Sequence, residues 1–221
     1  MKTIIDKILN NSIVISILGI IQGIWRFIRI PVAIITVLFI GLVIYRVPVA
    51  LERQETEKVV AKIHAQKLTL ADVLGQNLPM EPNALLKDNT IEGIDVNENG
   101  IRDDVELAIF RLHPDSARIR AAELQYAMAL QMEINEVFNK ETWEDAVFEE
   151  SRGYACISET HPRTNLKEFL AATKALVKEV EDLQYNTEKR IIRREKISAF
   201  TTGFGLPNKD FCLIDSKILP N

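Results

Sequence analysis

The chain has 221 residues, 47% of them apolar, with 27 basic and 31 acidic side chains for a net charge of −4. Residues 1–51 carry Lys2, Lys7, Arg26, Arg29 and Arg46 against Asp6 alone, a net of +4, which leaves −8 for everything after Leu51. An acidic region of that length can bury a core of its own and repels phosphate backbones, so nucleic acid is not expected as a partner.

The first apolar stretch, SIVISILGIIQGIW over Ser12–Trp25, is only ~21 Å long as a helix. Ser12, Ser16, Gly19, Gln22, Gly23, Arg26 and Arg29 recur at spacings of three and four and so line one helical face. Two readings of residues 1–29 stay open: an amphipathic helix lying in a membrane interface, or a crossing helix that packs its small-residue face on a neighbour. A targeting segment cleaved after Ala50 is a third, disfavoured by the long basic region ahead of the apolar run.

From Ile30 to Tyr45 the sequence carries no charge. Continued through Arg46 to Leu51 it gives about 20 residues, enough at ~1.5 Å per residue for a hydrocarbon core of about 30 Å if Arg46 snorkels. Residues 30–51 are therefore expected to be a single transmembrane anchor, with Pro31 in its first turn and Pro48 at its end or at a kink. Arg26 and Arg29 precede this span and Arg46, Arg53, Lys58 and Lys62 follow it, so charge leaves the orientation open.

Residues 52–90 read as stalk and linker: a polar helix over Glu52–Lys67, then loops and short turns over 68–90, where Gly75, Pro79 and Pro82 break periodicity. Residues 91–221 read as an acidic helical domain. Its first helix covers Asp103–Leu112 and stops before Pro114. Asp115 or Ser116 caps the next, which reaches about Asn139 with Leu124, Ala127, Leu130 or Gln131, Ile134 and Phe138 on one face. Another opens at Glu141 or Thr142 and runs to about Ser158. The longest spans Asn165 to about Ile197, with Leu166, Leu170, Val177 and Val180 on a stripe and a charged, solvated second half, EKRIIRREK. The expected fold class is all-α, an N-terminal membrane helix region followed by a small helical bundle.

Cys156 and Cys212 are the only cysteines. One disulfide in an oxidising compartment is the expectation, since their spacing does not fit a zinc site; two reduced thiols in a cytosol are the alternative. The bridge would contribute roughly 4 kcal/mol in the chain-entropy model and would hold the C-terminal tail to the body.

Between the linker and the first domain helix stands DVNENGIRDDVE, Asp95–Glu106. A calcium ion takes about six to eight oxygens, and a twelve-residue loop supplies them from positions 1, 3, 5, 7, 9 and 12 around a glycine at position 6. Those positions hold Asp95, Asn97, Asn99, the backbone carbonyl of Ile101, Asp103 and Glu106, with Gly100 at the sixth. The ion-free alternative is a set of Asx turns at Asn97 and Asn99 with Asp103 and Glu106 capping the helix. It accounts for each residue singly, but not for three carboxylates converging where they repel one another.

On these residues the stretch resembles the EF-hand loop, above all the dockerin-type loops of bacterial extracytoplasmic proteins, and the resemblance implies calcium with those six residues as ligands. It departs from a paired EF-hand in having Arg102 at the eighth position, no entering helix and no second loop, so a calmodulin-like sensor is not expected. The chain is also similar to bacterial membrane-anchored proteins that share a G-I-D-x-N-x-N-G-I-R-D-D-V-E segment, a likeness that brings no activity with it. With three charged ligands, the affinity should be that of extracellular modules, about 0.1–1 mM, which favours a domain outside the cytoplasm.

Catalytic signatures are absent: no Walker loop, no G-x-S-x-G, no H-E-x-x-H. His113 and His161 each precede a proline, as helix boundaries do, and the proximity of Cys156 to His161 is weak support for a thiol dyad. Glu144, Glu149 and Glu150 read as a solvated face, and Met128 with Met132 as core. The expected protein is a single-pass module of a bacterial inner membrane with a periplasmic, calcium-stabilised C-terminal domain. Its expected role is structural, or the binding of another envelope protein, rather than catalytic. An envelope hydrolase with an unfamiliar active site and a cytosolic domain of a membrane regulator are the alternatives.

Overall fold

The computed structural model describes residues 12–200 and 211–219; the expectations for residues 1–11 lie outside them. Among the described residues the regular structure is all helical, as expected: α1 Ser12–Ala65, α2 Leu70–Val73, α3 Asp103–Leu112, α4 Ala117–Glu136, α5 Lys140–Ser158, α6 Leu166–Gln184 and α7 Glu188–Ile197, with short 3₁₀ turns at Ser198–Phe200 and Ser216–Ile218. The chain divides into two compact units, Met1–Gln54 and Glu55–Asn221.

In the first unit α1 runs through Arg29 and Ile30 without a break, and Pro31 and Pro48 both lie inside it. Arg-Phe-Ile-Arg contains no helix breaker, so Pro31 does not open a new helix. Large apolar side chains from Ile17 to Leu51 are exposed along this segment. It is long and apolar enough to cross a membrane.

The second unit is a helical bundle built on α4. Sixteen of that helix's residues are buried, among them Leu124, Ala127, Met128, Leu130, Met132 and Ile134, so apolar side chains project on all sides rather than along one stripe. Small residues let α4 and α5 approach closely: a Cβ on Gly153 would stand 2.8 Å from Tyr126 Cα. Asn139 caps α5 by accepting from Thr142 N at 3.0 Å, while the Thr142 hydroxyl accepts from Asn139 N. This capping box starts the helix at Lys140. Thr56, Val59 and Ile63 from the last turns of α1 also belong to this unit. Ile63 enters its core, and Thr56 accepts from Asn139 Nδ2 at 2.7 Å.

Two departures from the sequence reading have local causes. The helix expected over 165–197 is two helices, because Thr187 caps a new one by accepting from Arg190 N. Its second half is not simply solvated. Arg190 is fully buried and donates to Ile91 O at 2.9 Å, Asp88 Oδ1 at 2.7 Å and Lys87 O at 3.1 Å. A guanidinium with five donors can pin an irregular segment in this way, and Arg190 holds residues 87–91 to the bundle.

Candidate metal centre

The Asp95–Glu106 loop leaves the linker at Gly93 and delivers the chain to α3. Both carboxylate oxygens of Asp95 accept backbone hydrogen bonds from the loop's far side, from Asn99 N at 3.2 Å and Gly100 N at 2.9 Å. This folds the chain sharply, and Gly100 sits at φ +83°, where a side chain is strained. Space imposes the same choice: a Cβ on Gly100 would overlap the Gln66 amide. Asn99 Oδ1 accepts from Ile101 N at 2.9 Å, Asp103 Oδ1 from Val96 N at 3.0 Å, and Asp103 N donates to Ile94 O at 2.9 Å. Ile101 buries its side chain in the core. Glu106 reaches back from α3, and Asn97 Nδ2 donates to its Oε2 at 3.0 Å and to Asn77 O at 2.9 Å. Asp95, Asn97, Asn99, Asp103 and Glu106 are thereby tied into one loop by their own hydrogen bonds.

Those bonds leave a residue of unmet demand. Asn97 Oδ1, Asp103 Oδ2 and Glu106 Oε1 are buried with no hydrogen-bond partner, and so is the Asn99 amide nitrogen. Asp103 and Glu106 are wholly inaccessible to solvent. Burial, with Asp72 and Asp103 nearby, pushes the Glu106 carboxyl up to about 7 against the pull of the Asn97 amide that donates to it. Burial likewise raises Asp95 and Asp103 above the ordinary carboxylate range. A buried unpaired acceptor costs about 1–3 kcal/mol, and more when charged. Oxygens lacking donors are the atoms that a hard cation takes, so the donor set fits an oxygen-seeking divalent ion.

Arg102, the departure from the paired EF-hand pattern, has a visible task. Fully buried, it donates to both carboxylate oxygens of Asp104 at 2.8 and 3.0 Å and to the carbonyls of Leu183 and Gln184, each at 3.0 Å. It thereby caps the C-terminal end of α6, where unsatisfied carbonyls carry partial negative charge.

The structure joins Cys156 to Cys212 as a disulfide, so neither offers a thiol nucleophile to His161. It also assembles two polar clusters that sequence spacing had concealed. Glu150, expected on a solvated face, instead enters a network with Glu133, Glu181, Tyr126, Tyr185 and Arg194. Burial, followed by the Glu150 charge, holds Glu133 well above its usual range. Arg194 offsets only part of this charge, donating to Glu181 at 2.7 Å and stacking over the Tyr185 ring at 4.5 Å. The second cluster joins His113, Glu123 and Glu179 from three different elements. Glutamates spaced like those of any amphipathic helix gave no sign of either cluster; only the folded neighbours distinguish them. No protein family, curated protein or solved structure matches the chain.

Proposed function

We propose that this protein is a membrane-anchored helical module whose Asp95–Glu106 loop is fastened by a calcium ion, with the helical domain on the extracytoplasmic side of a bacterial inner membrane. The unpartnered, buried oxygens of Asn97, Asp103 and Glu106 carry this reading. They fall on three of the six ligand positions that the loop pattern names, and an Asx-turn account leaves them without partners. Asp95 and the Ile101 carbonyl complete the oxygen set, and Asn99, whose amide nitrogen is the buried unpartnered atom, would join it on rotation of the amide. Calcium would supply charge neutralisation and nothing chemical; the residues themselves fix the turn, the start of α3 and the register of the linker.

The Cys156–Cys212 bridge supports an oxidising compartment, where calcium is also abundant enough for a loop with three carboxylates. α1 supplies the anchor. The module's work is then structural, or the binding of another envelope protein, with the ion holding the surface in one conformation. The test is calcium titration of the full chain in detergent, followed by calorimetry and thermal unfolding. Calcium should raise Tm, and Asp95→Ala and Glu106→Ala should each abolish the rise. An equal rise in both variants refutes the assignment.

A further inference from the structure

A second cluster, outside the loop and chemically unlike it, lies where α3, α4 and α6 converge. His113 is the residue on which α3 ends, Glu123 stands in the second turn of α4, and Glu179 lies in the later half of α6. His113 Nε2 is 2.8 Å from Glu179 Oε1 and 3.2 Å from Glu123 Oε2. One ligand atom from each of the three residues lies within 4.8 Å of the others.

The hydrogen bonding does not close. An imidazole Nε2 carries one hydrogen, and the short contact directs it to Glu179. Glu123 is fully buried, and neither of its oxygens has a hydrogen-bond partner. The nearest arginine in sequence, Arg120, is occupied elsewhere. It donates to the carbonyls of Val73, His113 and Pro114 at 3.2, 2.8 and 2.6 Å and stacks over Phe110. A buried carboxylate left without donor or cation is an expensive feature in a packed core.

We propose that His113, Glu123 and Glu179 bind a first-row divalent transition-metal ion of the zinc class. One imidazole nitrogen and two carboxylate oxygens suit such an ion better than calcium or magnesium, which take oxygen alone. Metal–ligand bonds of about 2.0–2.2 Å in a tetrahedral site put neighbouring donor atoms ~3.3 Å apart, so the contacts of His113 need to lengthen by up to about half an ångström while Glu123 and Glu179, whose ligand atoms lie within 4.8 Å, close on the same ion. Glu123 supplies the fixed, buried ligand. His113 and Glu179 are partly exposed, with side chains 18% and 31% accessible, and they open the site to solvent on one side. Three protein ligands leave a coordination position for water, so the ion is exchangeable. It would bind the end of α3 to α4 and α6, independently of the calcium loop and whether or not that loop takes an ion.

The test uses the full chain in detergent, stripped with chelator and then saturated with calcium. Zinc is titrated by calorimetry, and cobalt(II) is added as an optical substitute. One zinc per chain is expected, with cobalt absorption bands of a four- or five-coordinate site. His113→Ala and Glu123→Gln should abolish both signals, and Glu179→Gln should weaken zinc binding at least tenfold. His64→Ala, which removes the exposed His64–Asp145 pair, should change neither. Far-ultraviolet circular dichroism checks that each variant folds. Should Glu123→Gln fail to fold, the half-exposed Glu179→Gln carries the decision. Absence of zinc and cobalt uptake by the parent overturns the proposal and leaves a carboxyl–imidazole triad sharing protons. Uptake unchanged in His113→Ala and Glu179→Gln overturns it equally.

Discussion

Replacing Glu106 by Gln should have opposite effects with and without calcium. The carboxyl lies in the ion-free loop at about 7, displaced from 4.5 by burial first. A folded-state pKa above the unfolded one favours folding fully below the unfolded value, and the contribution is lost as pH rises through the folded value. At pH 8 ionisation of Glu106 therefore opposes folding by up to ~3 kcal/mol, and at pH 5 by less than ~1 kcal/mol. Glutamine keeps the shape and has no proton to lose. In chelator at pH 8 the variant should be the more stable protein, by roughly 2 kcal/mol or about 4–8 °C in Tm, and at pH 5 the gap should shrink to near zero. The raised carboxyl of Glu133 lies away from the loop and cancels in the difference, whereas the charge of Asp103 is part of what raises Glu106 and its relief is included in the difference. In millimolar calcium at pH 8 the order should invert, since the parent gains the ion and the variant loses a ligand oxygen. The assay is tryptophan fluorescence or circular dichroism of thermal unfolding, run on both proteins at both pH values with and without calcium. A variant less stable than its parent in chelator at pH 8 would refute the claim that Glu106 is a frustrated buried acid awaiting a cation.

The remaining expectations concern the scaffold. Cys156→Ser, or reduction of the native protein, should lower stability by roughly 4 kcal/mol in the chain-entropy model, read by denaturant unfolding, and a thiol reagent should label neither cysteine in the unreduced fold. Gly153→Ala should destabilise by about 1–3 kcal/mol, because the added methyl meets the backbone of Tyr126 at 2.8 Å and α4 cannot yield as a side chain would. Arg102→Ala should cost about 3–5 kcal/mol by leaving the last carbonyls of α6 unpaired and the Asp104 carboxylate with only the longer contact to Lys87 at 3.9 Å; the same measurement on Arg102→Ala/Asp104→Asn should recover part of it.

The helices were largely legible because apolar periodicity and caps are local properties. Ser116 before α4, Pro114 after α3 and the run of apolar residues through α1 each act on their near neighbours. The break at Thr187 was hidden because EKRIIRREK continues a helical pattern, although Thr187 caps the new helix and the docking of Arg190 onto residues 87–91 holds it there. The loop could be read position by position because its donors are set by spacing along one turn. His113, Glu123 and Glu179 could not, for their separations of ten and 56 residues mean nothing until three helices meet. Arg102 illustrates the boundary: its place in the loop was plain from sequence, while the carbonyls it caps lie about eighty residues away.

Residues 74–102 reach the bundle with almost no regular structure, so their order has to come from side chains that bond to backbone. Arg190 holds 87–91, Gln131 donates to Glu92 O at 2.8 Å, and Arg102 holds the loop's exit to α6. Between these clamps the segment from Asp95 to Asn99 is held chiefly by acceptors: the Asp95 carboxylate takes two backbone N–H groups and Asp103 takes a third. Arg190, Gln131 and Arg102 all act as donors, whereas at the turn the buried oxygens of Asn97, Asp103 and Glu106 have no hydrogen-bond partner. A divalent ion there would complete the same design in which Arg102 and Arg190 serve the flanks.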